Sequence, residues 1–172
     1  MLTSFIKSWL FIVFLPLLNQ QAFSQKLNFV RLNAKQIDSV EMRNTAEKHF
    51  YNYTIGVSET YFPGRKKYWL LQPIIYRKRL GDFLLETSYH LSKNDSTLRL
   101  IEYWWRDTTY SHEFPDSILS DIDAQVEASV HAIKNIYPET EKRGEVTTWA
   151  NDLIHIEKFP VAEGWRVLVS WK

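Results

Sequence analysis

Two His–Glu pairs and two runs of cations are the residues of this chain best equipped for chemistry. His90 and Glu86 fall on one side of a strand-like stretch, and His155 and Glu157 on one side of another. An imidazole beside a carboxylate suits zinc ligation or general acid–base catalysis. If the two strands are neighbours, these four groups converge into a metal-assisted hydrolytic site. If they are not, the residues form the water-facing side of an antiparallel sheet. His112-Glu113 with Asp116 is a third cluster. It precedes a helix, where Asp116 has an ordinary capping role and the histidine sits in a solvated loop.

Other catalytic signatures are missing. The five glycines are scattered, with no phosphate-cradling loop, no Gly-x-Ser-x-Gly elbow and no His-Glu-x-x-His. The chain has no cysteine, which excludes a thiolate zinc site and a cysteine nucleophile. No cofactor is expected, and the balance favours a protein that is not an enzyme.

The cations read as binding chemistry or as protection. Arg65-Lys66-Lys67 and Arg77-Lys78-Arg79 flank an aromatic stretch containing Tyr68, Trp69 and Tyr76. Such a group binds acidic polysaccharide, anionic lipid headgroups or nucleic acid. Alternatively it guards a hydrophobic run against aggregation. Neutral overall charge and the expected export argue against nucleic acid. Trp104 and Trp105 are consecutive in a strand-like run and must point to opposite faces, so one of them leaves the main core. Beside Tyr103 and Arg106, that indole suits a protein or carbohydrate surface; a second packed layer is the other explanation. Asn52-Tyr53-Thr54 and Asn94-Asp95-Ser96 match the glycan acceptor triplet, which has meaning only in a eukaryotic source.

Elements must hold these groups. Asn33 followed by Gln36 resembles a capping box for a helix from about 34 to 51, with Met42, Ala46, Phe50 and Tyr53 in line and Ile37 and Val40 to the side. Strands are expected over 67–76, with Pro73 forcing an edge or bulge, over 83–91 and over 98–105. Asp116 caps a second helix whose Ile118, Ile122, Val126, Val130, Ile133 and Tyr137 form a single apolar stripe until Pro138 stops it. Strands over 146–149, 153–159 and 165–171 follow, the last with Trp165, Val167, Val169 and Trp171 on a buried face. The expected fold is therefore α+β: a helix and a three-stranded antiparallel meander, occurring twice (about 34–106 and 116–172), with the helices on one face of the sheet.

The helix, the Pro138 turn, Thr147-Thr148-Trp149-Ala150-Asn151-Asp152 and the closing Gly164-Trp165-Arg166-Val167 resemble small exported bacterial αβββ modules. Tandem layouts of that kind occur in β-lactamase-inhibitor-protein-like and PepSY-like domains. The resemblance covers the element order of 34–172. It implies a protein that binds other proteins or inhibits exported enzymes, and it carries over no functional residue. A lipocalin-like or nuclear-transport-factor-like cone also joins a curved sheet to helices.

Residues 1–24 have the three-part pattern of a secretory signal peptide. Lys7 is the only charge, Ser8 to Leu18 is an apolar run of 11 residues, and Ala22-Phe23-Ser24 puts small residues at −3 and −1 of a cut before Gln25. The run is too short for a membrane span of about 20 residues, so no stable membrane anchor is expected. The remaining 148 residues make one domain, 25–172, large enough to bury its own core without disulfides. Its charge is split: 25–106 holds 14 Lys+Arg against 8 Asp+Glu, and 107–172 holds 6 against 12. The expectation is an exported, periplasmic or secreted binding module that contacts a protein or polymer through an open sheet face. Trp104 or Trp105, Tyr103, Arg106 and the two basic clusters would line that face. The rival expectations are a carrier of a small apolar ligand in an aromatic-lined cavity, and the metal-assisted hydrolase.

Overall fold

The structure, a computed structural model, describes residues 27–59, 62, 65–108, 114–138 and 145–172. The expected targeting segment, Pro63-Gly64 and His112-Glu113 lie outside the described residues. The element order is α1 (Ala34–Arg43), β1 (Glu47–His49), α2 (Arg65–Tyr68), β2 (Ile74–Leu80), β3 (Phe83–Leu91), β4 (Leu98–Asp107), α3 (Asp116–His131), β5 (Tyr137–Pro138), β6 (Thr147–Ala150), β7 (Ile154–Val161) and β8 (Gly164–Trp171). The class is α+β, as expected. All pairings are antiparallel, in one open eight-stranded sheet ordered β1-β2-β3-β4-β8-β7-β6-β5. No helix among the described residues is long and apolar enough to cross a membrane.

Alternation sorts the central strands into two faces. Phe83, Leu85, Thr87, Tyr89 and Leu91 of β3 are all buried, as are Ile101, Tyr103 and Trp105 of β4 and Val167, Val169 and Trp171 of β8. These core-face residues form one cluster with Ile37 of α1, with Ile118, Ile122, Val126 and Val130 of α3, and with Leu27 and Phe29 of the amino-terminal arm. Polar ties reinforce it. Tyr76 and Lys48 both reach Asp38, Tyr89 donates to Glu41, and Lys158 reaches Asp123. The Tyr103 hydroxyl donates to the Asn28 carbonyl and accepts from its N–H, both at 3.0 Å. The close approach of β8 to β4 needs Gly164: at φ +145° a Cβ there would lie 1.9 Å from the Trp105 carbonyl oxygen.

Several boundaries differ from the sequence reading. The capping box on α1 is present, Asn33 and Gln36 bonding reciprocally at 2.9 and 3.0 Å. The helix, however, ends at Arg43 rather than near 51, because Thr45 turns left-handed (φ 57°) and β1 joins the sheet edge beside β2. Its inward face is consequently Ile37 and Glu41, while Met42, Phe50 and Tyr53 are exposed. The strand expected over 67–76 starts only at Ile74, directly after Pro73, where the missing N–H breaks no ladder. Residues 65–68 are helical instead. Pro115, not Asp116, occupies the N-cap of α3; Asp116 lies in the first turn, where its charge suits the dipole. That helix stops at His131, leaving Tyr137 exposed on β5.

Candidate functional site

Registers define what the other face carries. Arg77 of β2 pairs with Glu86 of β3, Glu86 with Trp104 of β4, Trp104 with Arg166 of β8, and Arg166 with Phe159 of β7. These residues make one transverse row, a strand spacing of about 4.8 Å between neighbours. The row alternates base, acid, indole, base and phenyl. Its charges are matched locally. Arg77 Nε donates to Glu86 Oε2 at 2.8 Å, and the Tyr51 hydroxyl donates to the same oxygen at 2.9 Å. Arg77 also donates to the Tyr51 hydroxyl. Burial, then the bond to Glu86, holds the Tyr51 pKa above its ordinary value.

Trp104 is the centre of this row. The Arg106 and Arg166 guanidiniums each lie 4.2 Å from its ring centroid, cation–π contacts of about 0.5–1 kcal/mol each at partly exposed sites. Arg106 is held by Glu163 at 2.9 Å, and Arg166 by Glu102 at 2.9 Å. The indole is half-buried, and its N–H has no hydrogen-bond partner among the described residues.

A strap, of which residues 51–59, 62 and 65–72 are described, covers one end of this face. Its Val57, Phe62, Tyr68 and Leu70 pack with Leu100, Phe159 and Leu168 in a second apolar cluster. Between strap residues 55–58 and the sheet is a cavity of about 160 Å³, lined also by His90, Leu100, Glu102, Arg166 and Leu168. His90 is buried there, its Nε2 has no hydrogen-bond partner among the described residues, and desolvation lowers its pKa to about 4. It is a neutral imidazole near neutral pH. Burial raises the Glu102 pKa, with Arg166 opposing.

The residues read from the sequence fare differently. Tyr103 and Trp105, expected at a contact surface, are core residues, because their parity in β4 matches that of Ile101. Glu86 and His90, expected to face water if the pairs did not converge, are buried, Glu86 beside Tyr51 and Arg77 and His90 at the cavity under strap residues 55–58. Leu168, opposite the expected buried face of β8, is buried as well. The basic clusters separate. Arg65, Lys66 and Lys67 are exposed on α2, whereas in β2 Arg77 is tied to Glu86, Lys78 is half-buried and Arg79 is exposed.

The two His–Glu pairs do share a face, but β4 and β8 stand between them. His90 and His155 sit in one transverse row separated by Leu100 and Ser170, so about 14 Å of sheet divides them. His155 Nε2 lies 3.7 Å from Glu157. Among the described residues no three His, Asp or Glu side chains are grouped to hold a metal. Sequence reasoning passed over Tyr51, Glu102 and Arg166 as site residues. The available signal was charge inside strands: Glu86, Glu102 and Arg166 occupy alternate positions of otherwise apolar runs. No protein-family model matches the chain, and neither a curated protein nor a solved structure matches it.

Proposed function

We propose that this chain is a non-catalytic binding module that contacts a protein or polymer through the uncovered part of the sheet face carrying Trp104. The observation that supports this reading is the half-buried indole clasped by Arg106 and Arg166 on a face of which, among the described residues, the strap packs over one end. A rigid aromatic bounded by guanidiniums has the composition of an interface anchor, since Trp and Arg carry most contact energy and lose little entropy when already held in place. Arg77, tied to Glu86 and Tyr51, and Phe159, packed against the strap cluster, bound the row on either side. In this reading residues 1–24 direct export to the periplasm or the medium and are removed. The segments 34–106 and 116–172 each supply four strands of the sheet rather than the expected three and meet at β4 and β8, and a duplication of one ancestral half is part of this reading.

The test immobilises wild-type chain and Trp104→Ala and exposes each to the exported fraction of the producing cell, proteins and polysaccharides together. A component held by wild type and weakened about tenfold by Trp104→Ala, a loss of about 1.4 kcal/mol, is the expected result. Equal retention by both chains overturns the proposal. Circular dichroism melts on the same samples separate lost contact from lost fold.

A second reading, carriage of a small apolar ligand, is favoured by one feature. A groove of about 620 Å³ runs between α1, α3 and the arm, bounded by Leu27, Phe29, Val40, Ala128, Ala132 and Ile133. Phe29 is the single aromatic of that lining, and Asn28, Arg43, Asn44, Gln125 and Ser129 make part of it polar. A co-purifying mass in native mass spectrometry supports this reading, and its repeated absence removes it.

A further inference from the structure

Trp69 is a large side chain on a backbone that ordinarily excludes one. It follows α2 with φ +46°, the left-handed conformation in which helices commonly end on glycine because Cβ is penalised there. Its backbone is gripped from both sides. Trp69 N–H donates to the Arg65 carbonyl and Lys93 N–H donates to the Trp69 carbonyl, each at 3.0 Å. Leu71 N–H donates to the Leu91 carbonyl at 2.8 Å. Core packing does not explain the indole, which is 65% exposed, nor Leu71, which is 41% exposed. Strain of this kind is held by the backbone bonds on either side and is found more often at functional sites than elsewhere.

The surroundings define that use. Phe50 and Tyr53 are also exposed, and the Gln72 amide ties their stretch to this one by donating to the Tyr53 carbonyl and accepting from Ile55 N–H. Four cations ring the corner. Arg65, Lys66 and Lys67 are exposed on α2, and the Lys93 ammonium lies 4.9 Å from the Trp69 ring centroid. Lys66 is paired with Glu59 at 3.1 Å, which leaves Arg65, Lys67 and Lys93 to present charge outward, and Asp95 is engaged with Arg99 at 2.7 Å.

We propose that this corner of the strap docks on an anionic lipid bilayer, with Trp69 and Leu71 entering the headgroup boundary and Arg65, Lys67 and Lys93 meeting lipid phosphates. Tryptophan is enriched at that boundary because its apolar body and single N–H match a half-wet layer. Basic side chains reach phosphates while their stems stay in apolar contact. An acidic polysaccharide would use the cations but has no place for Leu71. The surface is independent of the Trp104 face.

Sedimentation of the purified chain with phosphatidylglycerol-containing vesicles, against phosphatidylcholine vesicles alone, tests this. Binding is expected only to the anionic vesicles and weakens with salt. Removing a charge by Lys67→Ala lowers partition about fivefold, the equivalent of about 1 kcal/mol per cation. Trp69→Gly lowers it severalfold while its Tm stays level or rises, because glycine relaxes the left-handed position. Trp104→Ala binds vesicles like wild type. No anionic-vesicle binding, equal binding by Trp69→Gly, a lowered Tm in that variant, or preference for heparin over vesicles overturns the proposal.

Discussion

The two faces of strands β3, β4 and β8 are made from the same residues in alternation, yet they are stabilised by different physics. On the core face Tyr103 and Trp105 sit among aliphatic and aromatic neighbours, and the polar atoms there meet single partners, Asn28 for Tyr103 and Glu41 for Tyr89. One residue away, Glu102 and Trp104 are held by ion pairs and guanidinium stacking, with a buried imidazole beside them. The first face is hydrophobic burial with matched hydroxyls. The second is a charge network laid on a sheet and half-roofed by a strap, an arrangement with less apolar area removed from water and more surface left to bind.

The sharpest way to break that contrast is to truncate the adjacent indoles. Trp105→Ala is expected to cost about 3–5 kcal/mol, as buried aromatic truncations do. Trp104→Ala is expected to cost about 1–2 kcal/mol, the sum of two partly exposed cation–π contacts. Paired urea melts check this, and equal costs would mean that the second face is core too.

The next effect in size belongs to His90. Its pKa of about 4 in the fold lies below the unfolded value of about 6.5, so the unfolded chain binds the proton first as pH falls. Stability supplied by neutral His90 is present above about pH 6.5 and is lost on descent to about pH 4, a change of about 3 kcal/mol. Glu41 and Glu102 act in the opposite sense. Burial raises their pKa values, so they favour the fold as pH falls. Comparing wild type with His90→Leu isolates the histidine: the variant should lack this limb of the pH–stability curve.

A smaller effect probes the core face. Tyr89→Phe removes the hydroxyl that donates to buried Glu41, whose other oxygen has no partner among the described residues. The expected loss is about 1–3 kcal/mol. It should shrink at low pH, where the carboxyl is protonated. A loss independent of pH would show that the hydroxyl contributes by packing alone.

Much of the layout was legible from local pattern. Strict alternation over 83–91 located β3 and its core face, the stripe Ile118–Ile122–Val126–Val130 located the buried side of α3, and Asn33 with Gln36 marked the start of α1. What misled were places where a tertiary pairing overrode local preference. The helix stops at Arg43 because the following residues gain a sheet partner, and 65–68 is helical where a strand was expected, with only Leu70 after it bridging Ser92 at the end of β3. The metal idea rested on adjacency of two strands, which the order β3-β4-β8-β7 denies.

The sequence by itself determined the α+β class, the apolar stripe of α3 from Ile118 to Val130 and the fact that Trp104 and Trp105 face opposite ways, because each follows from a period of 3.6 or 2 along a short stretch. Only the tertiary structure decided which of those indoles is core, that Arg77, Glu86, Trp104 and Arg166 form one row, and that a strap roofs His90. Those depend on which distant strands pair and in what register, and interstrand hydrogen bonds join backbones without regard to their separation in the chain.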